Sequence, residues 1–500
     1  METRGEFVAA IVNFVLFVFL YSSFIFSENY QQKRLACFYY DDKNIHDGTS
    51  IIHPGLPWVW AKDENNEPVY LLGNTTDGFF YVDYISGLST TKTNTKIGVL
   101  QEFCSLALRY EFPNSYQNKT LLKMGAKNSF LSLYSLPLVY DNNPDNNSIK
   151  RMVIFGDSMS DTGNLKTWLR VFPKTPYFAG RFSNGPIWVD YFGLHSNISI
   201  QNWALGGLIS KTPEEDLNKL DTIKLAISSS VDNEIERYKE SSLENDYMGM
   251  SNQTLFFIWV GGNDYLNKMD SNKADIFLDD PFHPYDGLYD FTKKVANNII
   301  DNIETLYQLG ARNFLLANLP NLGSIPRLKN NQTYHADFNE NKRIRLFKLS
   351  QKMSQVSANH NLELAKAVET YRQKRPDINI SLMDINKVIA NILNQISLDG
   401  NGRFDYGLRK NEYGTEITYY DHTVLVGNEC YFGNGFIGGG NKVCSSPNQK
   451  IFWDYAHPTT FSHCLLGAYI HQHTGEQGFL SYNYWQNYLS KCYLKPFSLN

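Results

Sequence analysis

The fold is decided by the stretch Ile154-Phe155-Gly156-Asp157-Ser158-Met159-Ser160-Asp161-Thr162-Gly163-Asn164. It continues an apolar run from Met152, which is typical of a buried strand, and Gly156 predicts a sharp turn at its end. Ser158 is therefore predicted at the carboxyl edge of a sheet, where open α/β sheets hold their sites. An isolated Gly-Asp-Ser more often marks an ordinary polar turn, so its meaning depends on the rest of the chain.

Outward from this stretch, strand-like and helix-like segments alternate from Lys150 onward. Such alternation favours the α/β class with a parallel sheet, and each gap between strands is long enough for a crossover helix. The predicted strands are residues 152–155, 198–203, 255–260, 313–317 and 378–383. The predicted helices are residues 216–240, 291–309 and 338–359.

Residues 27–148 carry short strand signals and form a predicted small β-rich N-terminal domain. A polar stretch rich in chain-breaking residues, 141–147, separates it from a second domain at 149–500. The predicted N-terminal elements are a hairpin of residues 58–61 and 68–72, a strand at 79–82 and a helix at 99–110.

The first 26 residues have the form of a targeting segment, with Arg4 followed by an apolar run over residues 7–26. This pattern favours a cleaved signal peptide, although the run is also long enough for an N-terminal anchor. Either interpretation predicts a secreted or cell-surface protein.

An even number of cysteines, six, fits an exported chain with disulfide bonds. The order along the chain suggests the pairs Cys37–Cys104, Cys430–Cys444 and Cys464–Cys492, but the sequence leaves the connectivity open. No Cys/His spacing is typical of zinc, and we expect no metal or cofactor.

The composition is that of a globular protein, with 42% hydrophobic and 19% charged residues. The formal net charge of −5 lacks the basic footprint of a nucleic-acid-binding protein. Aromatic residues reach 14%, which fits either well-packed cores or a surface that meets lipid.

Residues 401–450 interrupt the α/β alternation with a stretch rich in Gly, Tyr and Asn. It contains Cys430 and Cys444, so we expect an excursion closed by a disulfide. The excursion either covers the site or is a peripheral loop, and the sequence does not decide between them.

A serine hydroxyl is a weak nucleophile and needs a general base. Asp454-Tyr455-Ala456-His457 offers one, because His457 can take the proton of Ser158 while Asp454 orients the imidazole. On its own, an Asp-x-x-His is more often a helix start with a surface histidine.

Acyl transfer also needs hydrogen-bond donors for the oxyanion. Residues 202–207 begin at the end of a predicted strand and finish with Gly206-Gly207. There a backbone N–H has room to approach a substrate oxygen. Residues 259–264 end another strand and present Asn263. Each pair of glycines is separately explained as a tight turn. Together with the segments of Ser158 and of Asp454 and His457, however, they make four stretches with complementary chemical groups, which favours one catalytic centre.

Other polar residues have simpler explanations. We expect Asp157 and Asp161 to hydrogen-bond the turn around Ser158. His463, His471 and His473 follow a predicted helix start, which favours helix-surface positions over a metal site.

These motifs together resemble the GDSL, or SGNH, hydrolase family over about residues 150–475. The resemblance implies a three-layer α/β/α sandwich and assigns family roles to Ser158, a glycine of residues 202–207, Asn263 and His457. Alignment of the motifs favours Gly207 over Gly206 as the oxyanion glycine, with Ser158 N–H and Asn263 as the other donors.

A narrower resemblance, to the secreted thermolabile haemolysin type of phospholipase A and the glycerophospholipid–cholesterol acyltransferases, rests on residues 37–40, 58–61 and 101–104. It implies a phospholipid or lysophospholipid substrate at a membrane surface and a possible sterol acyl acceptor. Two alternatives remain: a general carboxylesterase for small or carbohydrate esters, and a membrane-binding, haemolysin-like protein with a minor catalytic role.

Overall fold

The computed structural model describes most of two sheets and the helices around them. The described residues are 31–41, 58–76, 79–86, 97–127, 136–139, 148–149, 151–165, 173–174, 176–196, 198–212, 230–244, 251–270, 286–329, 340–389, 409–410, 416–417, 429–432, 442–444, 447, 450–480 and 492. The predicted targeting segment at 7–26, the polar stretch at 141–147 and most of the 401–450 excursion lie outside them.

The N-terminal sheet has six strands in the order β2-β1-β3-β4-β6-β5, and β1 also pairs with β5, so the pairings close into a ring. All pairs are antiparallel except β4 with β6. One helix packs its buried side chains against the strands. The elements are β1 (Gln31–Asp41), β2 (Trp58–Trp60), β3 (Tyr70–Thr76), β4 (Phe79–Ser86), α1 (Ile97–Glu111), β5 (Lys119–Lys127) and β6 (Leu136–Val139).

The predicted N-terminal hairpin is correct in its turn and wrong in its pairing. The backbone N–H of Asp63 donates to Glu67 O at 2.9 Å, and that of Val69 donates to Ala61 O at 3.1 Å. Beyond this turn, however, β2 and β3 both pair with β1 and not with each other. β1, β5 and β6 were not predicted.

The second sheet has five parallel strands in the order β8-β7-β9-β10-β11. All five predicted strands are present, with their ends moved by at most one residue. They are β7 (Arg151–Gly156), β8 (Ser199–Asn202), β9 (Thr254–Trp259), β10 (Asn313–Ala317) and β11 (Asn379–Met383).

Helices cover both faces of this sheet, which confirms the α/β/α architecture. Val153 and Phe155 point to one face and pack with α3, α5 and α7, whereas Met152 and Ile154 point to the other and pack with α2 and α8. Successive residues of a strand alternate between faces, so continuous apolar strands need cover on both sides. The helices are α2 (Trp188–His195), α3 (Val231–Glu244), α4 (Gly262–Asp270), α5 (Asp286–Gln308), α6 (Pro326–Lys329), α7 (Glu340–Lys374) and α8 (Thr460–Glu476).

Two helix predictions correspond to α5, which begins before its predicted start, and α7, which continues beyond its predicted end, and the third overlaps α3 where the structure is described. The surface position expected for the histidines of α8 is wrong for two of them. His463 and His471 are 1% and 4% exposed, because α8 packs on the sheet with Leu466 and on a second apolar cluster with Leu465.

Three disulfides join Cys37 to Cys104, Cys430 to Cys444 and Cys464 to Cys492. The first ties β1 to α1 and the third ties α8 to a later segment, while the second joins two residues within the 401–450 excursion. Within the described part of the chain, no helix is both long enough and apolar enough to cross a bilayer.

Candidate active site

Ser158 lies just beyond the carboxyl end of β7, the strand between β8 and β9. All residues of β7 are buried, and the strand ends at Gly156. A Cβ at Gly156 would lie 2.7 Å from the carbonyl oxygen of Trp259 in β9, so the close strand pairing requires glycine there. The chain turns immediately afterwards and leaves Ser158 half-buried at the sheet edge.

The structure brings together Ser158, His457 and Asp454. Ser158 Oγ lies 2.8 Å from His457 Nε2, although the two residues are separated by 299 positions in the chain. On the other side of the ring, His457 Nδ1 lies 3.0 Å and 2.9 Å from the two carboxylate oxygens of Asp454. A hydroxyl, an imidazole and a carboxylate in this line can activate the hydroxyl as a nucleophile.

Asp454 is 1% exposed, so its charge depends on hydrogen bonds. Its Oδ1 accepts the backbone N–H groups of Ala456 at 2.8 Å and His457 at 2.7 Å, and its Oδ2 accepts the hydroxyl of Tyr177 at 2.7 Å. Burial acts to raise the pKa of Asp454, but His457 and these donors outweigh it, and the pKa lies below its usual value. The carboxylate therefore stays ionised behind the imidazole.

The two glycines after β8 have different surroundings. The N–H of Gly206 donates to Asp161 Oδ2 at 2.8 Å. Gly207 has a φ of +87°, is exposed, and has open space where a Cβ would lie. Gly207 is thus the glycine whose backbone faces open space, and only glycine takes such a φ without strain.

Asn263 lies in the first turn of α4, directly after β9 and Gly261, whose φ is +123°. Its Nδ2 donates to Leu208 O at 3.0 Å and lies 3.5 Å from Asp157 Oδ2. The contact with Leu208 links Asn263 to the loop that carries Gly207. Because β7 lies between β8 and β9, both candidate donors flank the segment that holds Ser158.

Asp161 hydrogen-bonds the backbone of the segment after Ser158, as predicted from the sequence. Its Oδ1 accepts the N–H groups of Gly163 and Asn164 at 2.8 and 2.6 Å, and its Oδ2 also accepts that of Leu165 at 3.2 Å. Burial raises the pKa of Asp161 to about 6, against the effect of its backbone donors. The bond to Gly206 makes this carboxylate one of the links between the loops after β7 and β8.

Two further carboxylates lie beside this centre, one buried and one half-buried. Asp157 Oδ1 accepts the N–H of Met159 at 3.0 Å, and burial raises the pKa of Asp157 to about 6. Asp264 accepts the N–H and hydroxyl of Ser210 at 2.9 and 2.7 Å, and burial likewise raises its pKa to about 6. Both contacts fix the loops around Ser158 and Asn263.

Some residues of this centre were not recognised from the sequence. Tyr177 contacts Asp454, and its only sequence signal is an aromatic position in a stretch that matches the family. Asn202 and Asn164 bind across the loops: Asn202 Nδ2 donates to Ser160 O at 2.7 Å, and Asn164 Nδ2 donates to Ala204 O at 2.8 Å. Over the described ranges, no group of three or more His, Cys, Asp and Glu side chains is arranged to hold a metal ion.

The comparisons with known proteins agree with this geometry. The sequence profile described as GDSL-like Lipase/Acylhydrolase matches residues 152–470. Thermolabile hemolysin of Vibrio parahaemolyticus is 25% identical over 447 residues, which cover 87% of this chain and 86% of the relative. Phosphatidylcholine-sterol acyltransferase of Aeromonas hydrophila is 27% identical over 342 residues, covering 64% and 88%. A GDSL esterase/lipase of Arabidopsis thaliana is 24% identical over 379 residues, covering 69% and 96%.

The matched region contains the parallel sheet, Ser158 and the segment with Asp454 and His457, and it spans more than half of the chain. The fold and the match define an ester-hydrolysing enzyme. The chain belongs to the GDSL-like lipase/acylhydrolase family. Within that family it is similar to the hemolysin and the acyltransferase, which confirms the narrower resemblance predicted from its motifs.

Proposed function

We propose that this chain is a secreted lipolytic serine esterase that cleaves acyl groups from phospholipid or lysophospholipid. The observation that carries the proposal is the hydrogen-bonded line from Ser158 Oγ through the imidazole of His457 to the buried carboxylate of Asp454. All three groups have the contacts and burial that nucleophilic catalysis on an ester requires.

In the proposed mechanism, His457 Nε2 takes the hydroxyl proton as Ser158 Oγ attacks the ester carbonyl. The N–H groups of Ser158 and Gly207 and the amide of Asn263 stabilise the oxyanion. His457 then gives the proton to the leaving alcohol, and an acyl-enzyme remains on Ser158. Water attacks the acyl-enzyme with His457 as base and releases the fatty acid, or a sterol hydroxyl takes the acyl group instead.

The lipid substrate is proposed from similarity. One relative is named a hemolysin and another a phosphatidylcholine-sterol acyltransferase, and these cover 87% and 64% of this chain. Phosphatidylcholine is therefore the first substrate to test, with a sterol as the candidate acceptor and a membrane surface as the partner. The three disulfides fit export.

The test is fatty-acid release from phosphatidylcholine, lysophosphatidylcholine and p-nitrophenyl acetate, with and without cholesterol. Wild type is compared with Ser158→Ala, and Ser324→Ala is the matched control. Ser324 is also half-buried and lies beyond a strand of the same sheet, but its hydroxyl donates to Asn321 O at 2.7 Å. We expect Ser158→Ala to lose at least about 10⁴-fold in kcat and Ser324→Ala to remain near wild type.

The outcomes separate three functions. Release from both lipids that requires Ser158 supports the lipase, and formation of cholesteryl ester adds acyl transfer. Cleavage of the short ester alone would indicate a general carboxylesterase. Membrane damage that persists in Ser158→Ala would indicate that binding, and not hydrolysis, is the main activity.

A further inference from the structure

An aromatic cluster lies behind Asp454, on the side away from Ser158. Its members are Tyr177, Tyr431 and Trp453, and all three are buried. The rings of Tyr431 and Trp453 stack at 5.5 Å and 15°, and the ring of Tyr177 meets Tyr431 edge-on at 5.5 Å. Tyr177 in this cluster reaches the carboxylate through its hydroxyl.

The Cys430–Cys444 disulfide packs against this aromatic cluster. Tyr431 directly follows Cys430, and the short strands Tyr431–Phe432 and Lys442–Val443 pair beside the disulfide. The backbone N–H of Cys430 donates to Trp453 O at 3.0 Å. Cys430 is thus bonded to the residue that immediately precedes Asp454.

The hydrogen bond from Tyr177 supplies a donor to the Asp454 oxygen that no backbone N–H of the described residues reaches, Oδ2. Oδ1 of Asp454 accepts two backbone N–H groups from its own loop, whereas Oδ2 has Tyr177 as its donor besides His457. Tyr177 is separated from Asp454 by 277 positions, so the bond joins two distant segments. Without it, only Oδ1 keeps backbone donors, so the position of Oδ2 and its contact with His457 Nδ1 are less well fixed.

We propose that Tyr177 is a positioning residue for Asp454, and that the Cys430–Cys444 disulfide acts on catalysis by holding Tyr431 and Trp453 against Tyr177. This rests on the proposed role of Asp454 as the carboxylate that orients His457 during catalysis. The disulfide thereby acts on the site through the residues behind the Asp454 carboxylate.

The first experiment compares Tyr177→Phe with Tyr191→Phe on p-nitrophenyl esters. Tyr191 is an equally buried phenol whose hydroxyl lies 2.7 Å from Thr460 Oγ1, away from Asp454. We expect about tenfold lower kcat for Tyr177→Phe with KM within about twofold, since the lost bond reaches a charged group and not the substrate. Tyr191→Phe should keep kcat. Equal kcat values for the two variants would overturn the proposal.

The second experiment asks whether the disulfide acts through Tyr177. The double variant Cys430→Ser/Cys444→Ser is combined with Tyr177→Phe in a cycle of kcat measurements. We expect the cysteine pair to lower kcat in the wild-type background and to add less than about twofold in the Tyr177→Phe background. Losses that multiply would show that the disulfide acts elsewhere.

A third readout does not depend on activity, so it stays informative if the proposed function fails. The pKa of Asp454 is low in the folded protein, so its ionised form contributes stability above the unfolded pKa of about 4, and this is lost as the pH falls. The titratable groups facing the pair are His457, Tyr431 and Tyr455. The Tm penalty of Tyr177→Phe should therefore shrink below about pH 4, while that of Tyr191→Phe stays constant. A pH-independent penalty at both positions would mean that Tyr177 only fills space.

Discussion

The Asp161 carboxylate is a single group on which two loops depend, and Asp161→Asn tests that dependence. The carboxylate is fully buried and accepts four backbone N–H groups, two on each oxygen. The amide keeps one acceptor oxygen. If that oxygen stays on Gly163 and Asn164, the new NH₂ group faces the N–H groups of Gly206 and Leu165, and both bonds are lost.

The magnitude follows from the charge and the burial. A hydrogen bond to a charged group contributes about 1.5–3 kcal/mol, so the loss of two costs about 3–6 kcal/mol of unfolding free energy. Burial raises the pKa of Asp161 to about 6, so its buried charge opposes folding above that pH, and the amide removes this cost. The net loss therefore lies at the lower end of the range, and about 3 kcal/mol is still a substantial part of the about 5–15 kcal/mol that usually stabilises a domain. Release of Gly206 also moves Gly207, and on the proposed role of Gly207 the loss of this oxyanion donor lowers kcat by about 10²–10³.

The assay is guanidinium unfolding for stability, together with kcat/KM on a short ester under conditions in which the variant is folded. The control is Asp384→Asn, because Asp384 lies after β11 at the same sheet edge but is exposed and accepts only Asn318 Nδ2 at 3.0 Å and the Lys387 N–H at 3.1 Å. An Asp161→Asn protein that is destabilised but keeps kcat/KM would refute the link between Asp161 and the oxyanion loop. One that unfolds like wild type would refute the whole argument.

Two further predictions concern neighbouring positions. Gly206→Ala places a methyl group 2.4 Å from the ring of Phe182, which is buried and packs on His457 at 5.0 Å, so we expect a loss of about 1–3 kcal/mol and lower kcat. In Gly207→Ala the added methyl group meets no atom within 4 Å, so the cost is only the strain of the positive φ, about 1–2 kcal/mol. Chemical denaturation compares the unfolding free energies of the two variants, and a smaller loss for Gly206→Ala than for Gly207→Ala contradicts the prediction. Burial raises the pKa of Asp157 to about 6, so its ionised form costs folding free energy above that pH, and the cost disappears as the pH falls below the unfolded pKa of about 4. Asp157→Asn should therefore raise Tm over wild type near about pH 8 and lose that advantage near about pH 4, and thermal unfolding with a constant difference would count against this assignment.

The parallel sheet was predictable because its information is local. β7, β9 and β10 are buried on both faces, so each is a largely apolar run, and the glycines at the end of β7 and after β9 mark where the chain turns. Ser158 and Asn263 lie directly after β7 and β9, so their position was predictable with these strands. The order of parallel strands then brought Ser158 between the loops of Gly207 and Asn263.

The features that were missed depend on distant partners. β1 begins with Gln31-Gln32-Lys33-Arg34 and β5 carries three lysines, so neither shows the alternation of a half-buried strand. Their pairing with each other stabilises both. The burial of His463 depends on a second apolar layer over α8, and the role of Tyr177 depends on a segment 277 positions away. None of these contacts leaves a periodic pattern in the local sequence.

The long separation between Ser158 and His457 has a consequence for the cell that makes the protein. A chain that emerges from its amino end presents the serine, Gly207 and Asn263 well before the histidine that is 299 positions later. On the proposed mechanism, unfinished chains carry a nucleophile with no base, and so do not cleave esters. Catalytic competence arises only when α8 docks on the sheet and the segment before it brings Asp454 and His457 into place. On this proposal, the order of the sequence delays ester cleavage until α8 has been made.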